Sequence, residues 1–456
     1  MLRRGACVLA LACAACGGSN GPAPSNPSGP TPAATVAANT TPIAAIDPAT
    51  TDDTDLATFG AAVGDRRIVL LTEPTHGDGA TFELKTRLVK YLHEQKGFNV
   101  LFIESGMYDV ARIQQRIAAG GDAVAVQAPG RIFYMYSRTD AGQLVLRYVD
   151  STRTSATPLA LWGHDVPMDG ADSVQSLVSG LQTYLAAQQS TLPRSADWPG
   201  YLRVAQQGVA LNASAVTSAD SASFLAMSTQ LAAALCEAAD SGGDLLQSPA
   251  FWCRMIRGIQ ADYTHLWSAT DPRTPTDLRD VTGAGNIEWA LDGRLAGQKA
   301  IVWLHAVHGN NALAGTGSCA AADSQECGPG WTNIGTELTR TYGDQVYIVE
   351  AAAGGGVFDT YNTVSACGAP TAGFTLPVPG ATALEHFLDV GGQAKFMAYP
   401  GDAAGRESIA ALGVSEDEFR WRSPSHFGTG YQGLFFLPQL APISTNCAAY
   451  PVVAYA

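Results

Sequence analysis

Five short apolar segments, spaced along most of the chain, constrain its fold more than any other feature. They lie at residues 67–71, 99–103, 158–162, 299–304 and 345–349. Each has the length and apolar content of a buried strand, and segments with apolar residues at helical spacing separate them. Parallel strands that helices cover on both faces have this pattern. We therefore expect an α/β fold with a mostly parallel sheet covered by helices on both faces.

One long region departs from this alternation. From about residue 200 to residue 297 we find only helical patterns, with breaks at Ser241-Gly242-Gly243 and at Asp271-Pro272. This region is interpreted as a helical insertion that lies over the sheet as a lid. Since 456 residues suffice for one large α/β domain, we assign residues 52–456 to a single domain that contains the insertion.

The start of the chain is typical of an export signal. Arg3 and Arg4 precede an apolar stretch that is too short for a permanent membrane helix, and small residues lead up to Cys16. Residues 1–16 are predicted to be a lipoprotein signal peptide, with Cys16 lipidated and the protein anchored at the bacterial cell envelope, on its periplasmic side or at the cell surface. An ordinary cleaved signal peptide is the alternative. Residues 17–51, mainly Pro, Ala, Ser, Thr and Asn, are predicted to form a disordered tether.

The remaining cysteines also agree with export. Six of the nine follow Cys16, and an even number in an oxidising compartment predicts disulfide bonds. Cys319 with Cys327 is the first pairing we consider, because it would close a short loop of small and polar residues. The cysteines lack the spacing of a zinc site, which disfavours a structural metal.

The charge balance excludes one class of partner. With 27 Lys and Arg against 41 Asp and Glu, the net charge is −14, and the sequence has no basic run that could neutralise a row of phosphates. We therefore expect no nucleic-acid partner. A cationic or neutral small molecule meets less repulsion than an anionic one.

Polar side chains recur where the predicted strands end. Ligands of parallel α/β sheets bind beyond the carboxyl ends of the strands, so these side chains are expected to share one site. They are Glu73, His76, Glu104, His164, Asp165, His305 and His308. A carboxylate that holds a histidine in its basic tautomer allows the ring to take a proton from water at neutral pH. The pattern favours hydrolysis by general acid/base chemistry.

Each of these residues also has a structural alternative. His76 could cap the following helix, and Glu73 and Glu104 could pair with buried arginines or helix N-termini. Tyr136 could line a pocket and donate a hydrogen bond, or simply pack. A serine nucleophile is not predicted, because the Gly-x-Ser-x-Gly turn of common esterases does not occur.

An ordered set of motifs resembles the erythromycin esterase family between about residues 66 and 349. The segments that carry the resemblance are Thr72-Glu73-Pro74-Thr75-His76, Phe82-Glu83-Leu84-Lys85, Phe102-Ile103-Glu104-Ser105-Gly106, Gly163-His164-Asp165 and Trp303-Leu304-His305-Ala306-Val307-His308. Two positions depart from the family pattern. Lys85 stands where the family has arginine, and Thr72 stands where it has glycine.

The resemblance implies metal-independent ester hydrolysis without a cofactor. His76 would be the base that activates water, with the carboxylates of Glu73 and Glu104 nearby. His305 or His308 would stabilise the oxyanion or protonate the leaving alcohol. The residues expected to contact substrate are Lys85, Asp165, His164 and Tyr136.

The expected substrate is a small ester or lactone. Macrolides, and with them antibiotic resistance, are one candidate, and we expect a monomer. Two other functions stay open: a metal-dependent hydrolase that uses these histidines and carboxylates as ligands, and an envelope lipoprotein that binds a small ligand or heme without turnover.

Overall fold

A computed structural model describes residues 31–454 except 169, 239, 241, 269–273, 311–331, 360–372, 382 and 399–429. The strands are β1 Thr40–Pro42, β2 Ile68–Glu73, β3 Phe98–Gly106, β4 Ala160–Asp165, β5 Lys299–His305, β6 Val346–Ala353, β7 Gly356–Phe358, β8 Phe374–Leu376, β9 Lys395–Ala398 and β10 Gly433–Leu437. The helices are α1 Pro32–Ala38, α2 Ala57–Val63, α3 Gly79–Lys96, α4 Met107–Ala118, α5 Val124–Gln127, α6 Tyr134–Ser137, α7 Asp140–Thr152, α8 Val178–Ala187, α9 Trp198–Val209, α10 Ser218–Leu235, α11 Pro249–Tyr263, α12 Thr274–Asp292, α13 Ala306–Gly309, α14 Ile334–Tyr342 and α15 Leu384–Leu388.

Eight of these strands form one sheet in the order β1-β9-β10-β6-β2-β5-β3-β4. The strands from β10 to β4 pair in parallel, whereas β9 runs antiparallel to both β10 and β1. The prediction of a mostly parallel α/β sheet is therefore confirmed. The strands β7 and β8 form a separate antiparallel pair.

Both faces of the sheet are buried, as the continuous apolar strands require. One face, with Leu71, Ile103 and Trp303, packs against α2, α3 and α7. The opposite face, with Leu70 and Phe102, packs against α12 and α14. Because successive side chains of a strand point to opposite faces, each central strand supplies both cores.

The described chain between Trp198 and Asp292 has helices and turns but no strand, and it holds α9 to α12. Aromatic side chains of α9, α10 and α11 form a third core together with α8. A disulfide bond between Cys236 and Cys253 joins the end of α10 to α11. The helix α12 connects this layer to the sheet, since Asn286 donates a hydrogen bond to the carbonyl of His164 at 2.9 Å.

The prediction of a disordered tether was wrong for residues 31–51. This segment contains α1 and β1, and β1 pairs with β9 at the sheet edge. Val36 and Ile43 are buried there, so a few apolar residues within a polar composition suffice to attach the segment to the sheet. The signal peptide, Cys16 and the rest of the tether lie outside the described residues.

The predicted Cys319–Cys327 pair also lies outside the described residues. Cys447, near the end of the described chain, is disulfide-bonded in addition to Cys236 and Cys253. No helix among the described residues has both the length and the apolar content needed to cross a bilayer.

Candidate active site

The ends of four neighbouring strands bring the predicted polar residues together. The strands β2, β5, β3 and β4 are adjacent and parallel, so their carboxyl ends lie at one edge of the sheet. Glu73 at the end of β2 is in register with His305 at the end of β5. Glu104 of β3 accepts a hydrogen bond from the backbone N–H of His305 at 2.8 Å. The sheet itself therefore fixes the spacing of these groups.

His76 lies between two carboxylates. Its Nδ1 is 3.1 Å from Oε1 of Glu73, and its Nε2 is 3.9 Å from Oε1 of Glu104. The hydroxyl of Tyr136 donates to the same Oε1 of Glu73 at 2.8 Å. Because a carboxylate only accepts, Nδ1 of His76 carries the proton and Nε2 has the free lone pair. The His76 side chain is 14% exposed, whereas that of Glu73 is fully buried.

The turn that carries His76 is held by later parts of the chain. The hydroxyl of Thr75 donates to the carbonyl of Asp359 at 2.8 Å, and Gly77 packs so closely on Asp359 that a Cβ would overlap that carbonyl. Asp78 caps α3 by accepting from the N–H groups of Ala80 and Thr81. The same carboxylate accepts from the N–H of residue 441 at 2.8 Å, which ties the C-terminal segment to the turn.

Lys85 pairs with Glu73 beneath the site, although burial lowers the pKa of the Lys85 ammonium well below its usual value, against the opposing charges of Glu104 and Glu350. It extends from α3, is 2% exposed, and its ammonium contacts Oε2 of Glu73. Nζ also lies 4.1 Å from the ring centre of Trp303. The sequence suggested a substrate contact for Lys85, whereas the structure buries its side chain against Glu73.

Arg279 of α12 joins two other strand ends. Its Nη2 donates to Oε1 of Glu104 at 3.0 Å, and its Nε donates to Oδ1 of Asp165 at 2.9 Å. Burial raises the pKa of Glu104, but the charges of His308 and Arg279 outweigh burial and hold it well below the usual range. Asp165, which the sequence placed among the substrate contacts, therefore orients Arg279.

His308 forms a second histidine–carboxylate pair. Its Nδ1 lies 2.7 Å from Oδ1 of the buried Asp280, and its Nε2 lies 3.4 Å from Oε1 of Glu104. Burial disfavours the charged ring, yet Asp280 and Glu104 more than compensate and raise the pKa of His308 to about 9. His308 is therefore cationic at neutral pH.

His305 has both ring nitrogens in use. Its Nδ1 accepts from the N–H of Val307 at 3.1 Å, and its Nε2 donates to the carbonyl of Pro74 at 3.0 Å. This fixes a neutral tautomer, and burial together with His76 lowers the pKa of His305 well below its usual value. The sequence left open which of His305 and His308 takes part in catalysis. Their contacts differ: His305 binds the backbone of the turn with both ring nitrogens, whereas His308 pairs with carboxylates.

Burial is also the main influence on the pKa values of His76 and Tyr136. Burial lowers the pKa of His76 to about 4, although Glu104 opposes the shift, so the ring is neutral at neutral pH. Burial, with the charge of Glu104, raises the pKa of Tyr136 well above 10, which keeps its hydroxyl a donor. Tyr136 belongs to the His76 network, and its ring also packs at 5.3 Å from Phe133. His164 is 1% exposed and lies beneath α12.

Arg279 and Asp280 were missed by the sequence reasoning. They lie inside a helix of the insertion and follow no strand, so the rule that led to the other residues could not find them. Their only sequence signal is an acidic and a basic residue, side by side, in a helix whose buried face is mostly apolar.

Glu73, His76 and Glu104 could in principle hold a metal ion, since one ligand atom of each lies within 4.8 Å of the others. However, Lys85 already contacts Glu73, and Arg279 already pairs with Glu104. A cation at this position would compete with Lys85 and Arg279 for the two carboxylates.

Three solved structures share the fold. A protein from Bacillus cereus has a TM-score of 0.69 at 18% identity, covering 91% of this chain and 98% of that one. A succinoglycan biosynthesis protein has a TM-score of 0.68 at 15% identity, with the same coverage. A mutant of erythromycin esterase EreC in its open conformation has a TM-score of 0.60 at 13% identity, covering 88% of this chain and 98% of that one. At such identities the likeness shows the fold alone.

Sequence comparison supplies the family. The profile of the erythromycin esterase family matches residues 93–426, so the chain belongs to that family. A curated relative, a putative hydrolase called YbfO from Bacillus subtilis strain 168, is 29% identical over 123 residues. The match covers 26% of this chain and 26% of the relative, so the chain spans about a quarter of that protein's length. Family and relative together support a hydrolase with a small-molecule substrate.

Proposed function

We propose that this protein is a carboxylic ester hydrolase that cleaves a small ester or lactone with water activated by His76. The observation that carries the proposal is the position of the His76 ring between two carboxylates, with Nδ1 3.1 Å from Glu73 and a partly exposed edge. This arrangement leaves Nε2 as the base.

The reaction follows from the protonation states. With a pKa of about 4, the His76 ring is neutral at neutral pH, so Nε2 removes a proton from water as the water oxygen bonds to the carbonyl carbon. Glu73 and Glu104 stabilise the imidazolium that forms. The same proton then passes to the leaving alcohol as the bond between carbon and alkoxy oxygen breaks, which yields acid and alcohol.

His308 takes an electrostatic role in this proposal. Its Nε2 lies 3.4 Å from Glu104, and Asp280 holds the ring in the charged form. The pair keeps Glu104 ionised beside His76. His305, whose two ring nitrogens bind the backbone, positions the turn instead of transferring protons.

The proposal includes metal-independent catalysis, which the ion pairs of Glu73 with Lys85 and of Glu104 with Arg279 support. It also includes a monomeric protein, exported and lipidated at Cys16. The disulfide bond between Cys236 and Cys253 supports an oxidising compartment. Macrolides are one candidate substrate class.

The test is turnover of a panel of nitrophenyl esters, simple lactones and macrolides by the full-length protein, with and without a chelator. We expect His76→Ala to lower kcat/KM by about 10²–10⁴-fold, the range for loss of a general base. His386→Ala, which alters an exposed histidine, is the matched control and should behave as wild type.

Two results would contradict the proposal. Activity that chelation abolishes and zinc restores would favour the metal-dependent hydrolase. Tight retention of a ligand without product, for every ester tested, would favour a binding lipoprotein.

A further inference from the structure

The guanidinium of Arg279 has donors that its ion pairs do not use. Its Nε and Nη2 point at Asp165 and Glu104. A guanidinium has five N–H bonds, and the remaining two are on Nη1. Among the described residues, the hydrogen-bond contact of Nη1 is Nε2 of His308 at 3.1 Å.

His308 can accept at most one of these two hydrogens. Its Nε2 has one lone pair in the neutral ring and none in the protonated ring that Asp280, 2.7 Å from Nδ1, favours. At least one Nη1 hydrogen of Arg279 therefore has no acceptor among the described residues.

Exposure indicates where that acceptor would lie. The Arg279 side chain is 28% exposed, whereas those of Glu104 and Asp165 are 6% and 5% exposed. The two buried carboxylates thus hold the guanidinium, while part of the Arg279 side chain reaches the surface.

The Arg279 guanidinium also lies close to His76. Oε1 of Glu104 lies 3.9 Å from Nε2 of His76 and 3.0 Å from Nη2 of Arg279. Nε2 of His76 and the guanidinium of Arg279 thus both lie near the same oxygen of Glu104. An ester bound there could place its carbonyl carbon next to a water held by His76 and its carbonyl oxygen next to Arg279.

The charges around Arg279 indicate whether its ligand oxygen is neutral or anionic in the substrate. The carboxylates of Glu73, Glu104, Asp165 and Asp280 surround three cations, Lys85, Arg279 and His308. The site is therefore not electropositive, and the chain carries a net charge of −14. The site as a whole therefore gives no general attraction to an anion, whereas a negative oxygen held at Arg279 itself gains from a donor already in place.

We propose that Arg279 is a catalytic residue that donates from Nη1 to the carbonyl oxygen of a neutral ester or lactone as that oxygen becomes an oxyanion. This inference rests on the proposed esterase function. It assigns the oxyanion donor to helix α12 of the insertion, so the helical layer supplies a part of the reaction centre that the strand ends do not.

The test compares Arg279→Lys and Arg279→Ala with wild type on a nitrophenyl ester that wild type cleaves. Loss of one oxyanion donor lowers kcat by about 10²–10³-fold. We expect that loss with KM changed less than threefold, and partial recovery of the alanine variant by added guanidinium. Arg254→Lys is the matched control, because Arg254 of neighbouring α11 binds Asn286 and lies outside the ion-pair network.

A second measurement begins with wild type alone, so its first part does not depend on whether the variants fold. Wild type should bind an aryl phosphonate anion, which mimics the tetrahedral intermediate, at least tenfold more tightly than the matching neutral ketone. In folded Arg279→Lys this preference should disappear while ketone affinity stays the same, which a purely structural role would not produce.

The outcomes separate the two proposals. If wild type cleaves no ester, the esterase function is wrong and the role of Arg279 with it. If cleavage depends on His76 but folded Arg279 variants keep kcat within threefold, or wild type does not prefer the phosphonate, only the role of Arg279 is overturned.

Discussion

Oε1 of Glu73 lies 3.1 Å from Nδ1 of His76, three residues further along the chain and just beyond the end of the strand. The short separation means that the sheet positions both members of the pair: Glu73 ends β2, and the turn after it carries His76 back over the same edge. The carboxylate is fully buried, so its environment is set by its partners and not by solvent.

Changing Lys85 alone should lower the stability of the protein, whereas changing Glu73 and Lys85 together should restore most of it. Lys85→Met leaves a buried carboxylate unpaired, which costs about 3–5 kcal/mol, whereas Glu73→Gln with Lys85→Met removes both charges and recovers most of that loss. Urea unfolding measures the difference, with Glu83→Gln on the same helix as control. The double variant should stay inactive, since Gln cannot orient His76 as a carboxylate does. Equal stability of the single and double variants would show that the pair is not coupled.

The pH dependence of kcat/KM should have two limbs. With a pKa of about 4, His76 becomes protonated as the pH falls through that value and ceases to act as a base. With a pKa of about 9, His308 loses its positive charge as the pH rises through that value, which should lower activity on the alkaline side. Activity is therefore expected to be highest between these values.

Asp280→Asn tests the alkaline limb. Asp280 is the largest influence that raises the pKa of His308, so its loss should move the limb to lower pH. Asp292→Asn, at the exposed end of the same helix, should leave the profile unchanged. An alkaline limb that does not move in Asp280→Asn would assign it to another group.

Gly77→Ala should reduce activity more than stability. A Cβ at residue 77 would overlap the backbone of Asp359, so the turn must shift and carry His76 away from Glu73. We expect at least a tenfold loss of kcat/KM, because catalysis depends on this distance more than folding does. Gly208→Ala in α9 is the control, since a Cβ there meets only Asp262 at an ordinary contact distance of 3.6 Å. Full activity of a folded Gly77→Ala variant would show that the turn tolerates displacement.

The Cys236–Cys253 disulfide should stabilise the helical layer without affecting chemistry. It links residues 17 apart, and closing a loop of about this length contributes about 3 kcal/mol in the chain-entropy account. The variant with both cysteines changed to serine should unfold at lower urea concentration under non-reducing conditions, with kcat unaltered. A loss of kcat at unchanged stability would instead connect the disulfide to the position of α12.

Much of the site could be predicted from the sequence, because residues that follow parallel strands meet at the carboxyl edge of the sheet. Glu73, Glu104 and His305 follow apolar runs, and neighbouring parallel strands bring such positions to one edge. The rule gave no information on roles. Lys85 and Asp165, both expected at the substrate, instead hold Glu73 and Arg279, since charged side chains at a buried edge need partners of opposite sign.

The sequence by itself determined the α/β class, the parallel strands and the strand ends at which polar groups gather, because these depend on local apolar pattern and on rules of strand pairing. Only the tertiary structure decided the partners. Arg279 binds Glu104 although 175 residues of chain separate them. In the turn that carries His76, Thr75 binds the carbonyl of Asp359, which lies 284 residues further along the chain. Such contacts depend on how the helical layer and the C-terminal segment pack on the sheet, and no local pattern encodes that packing.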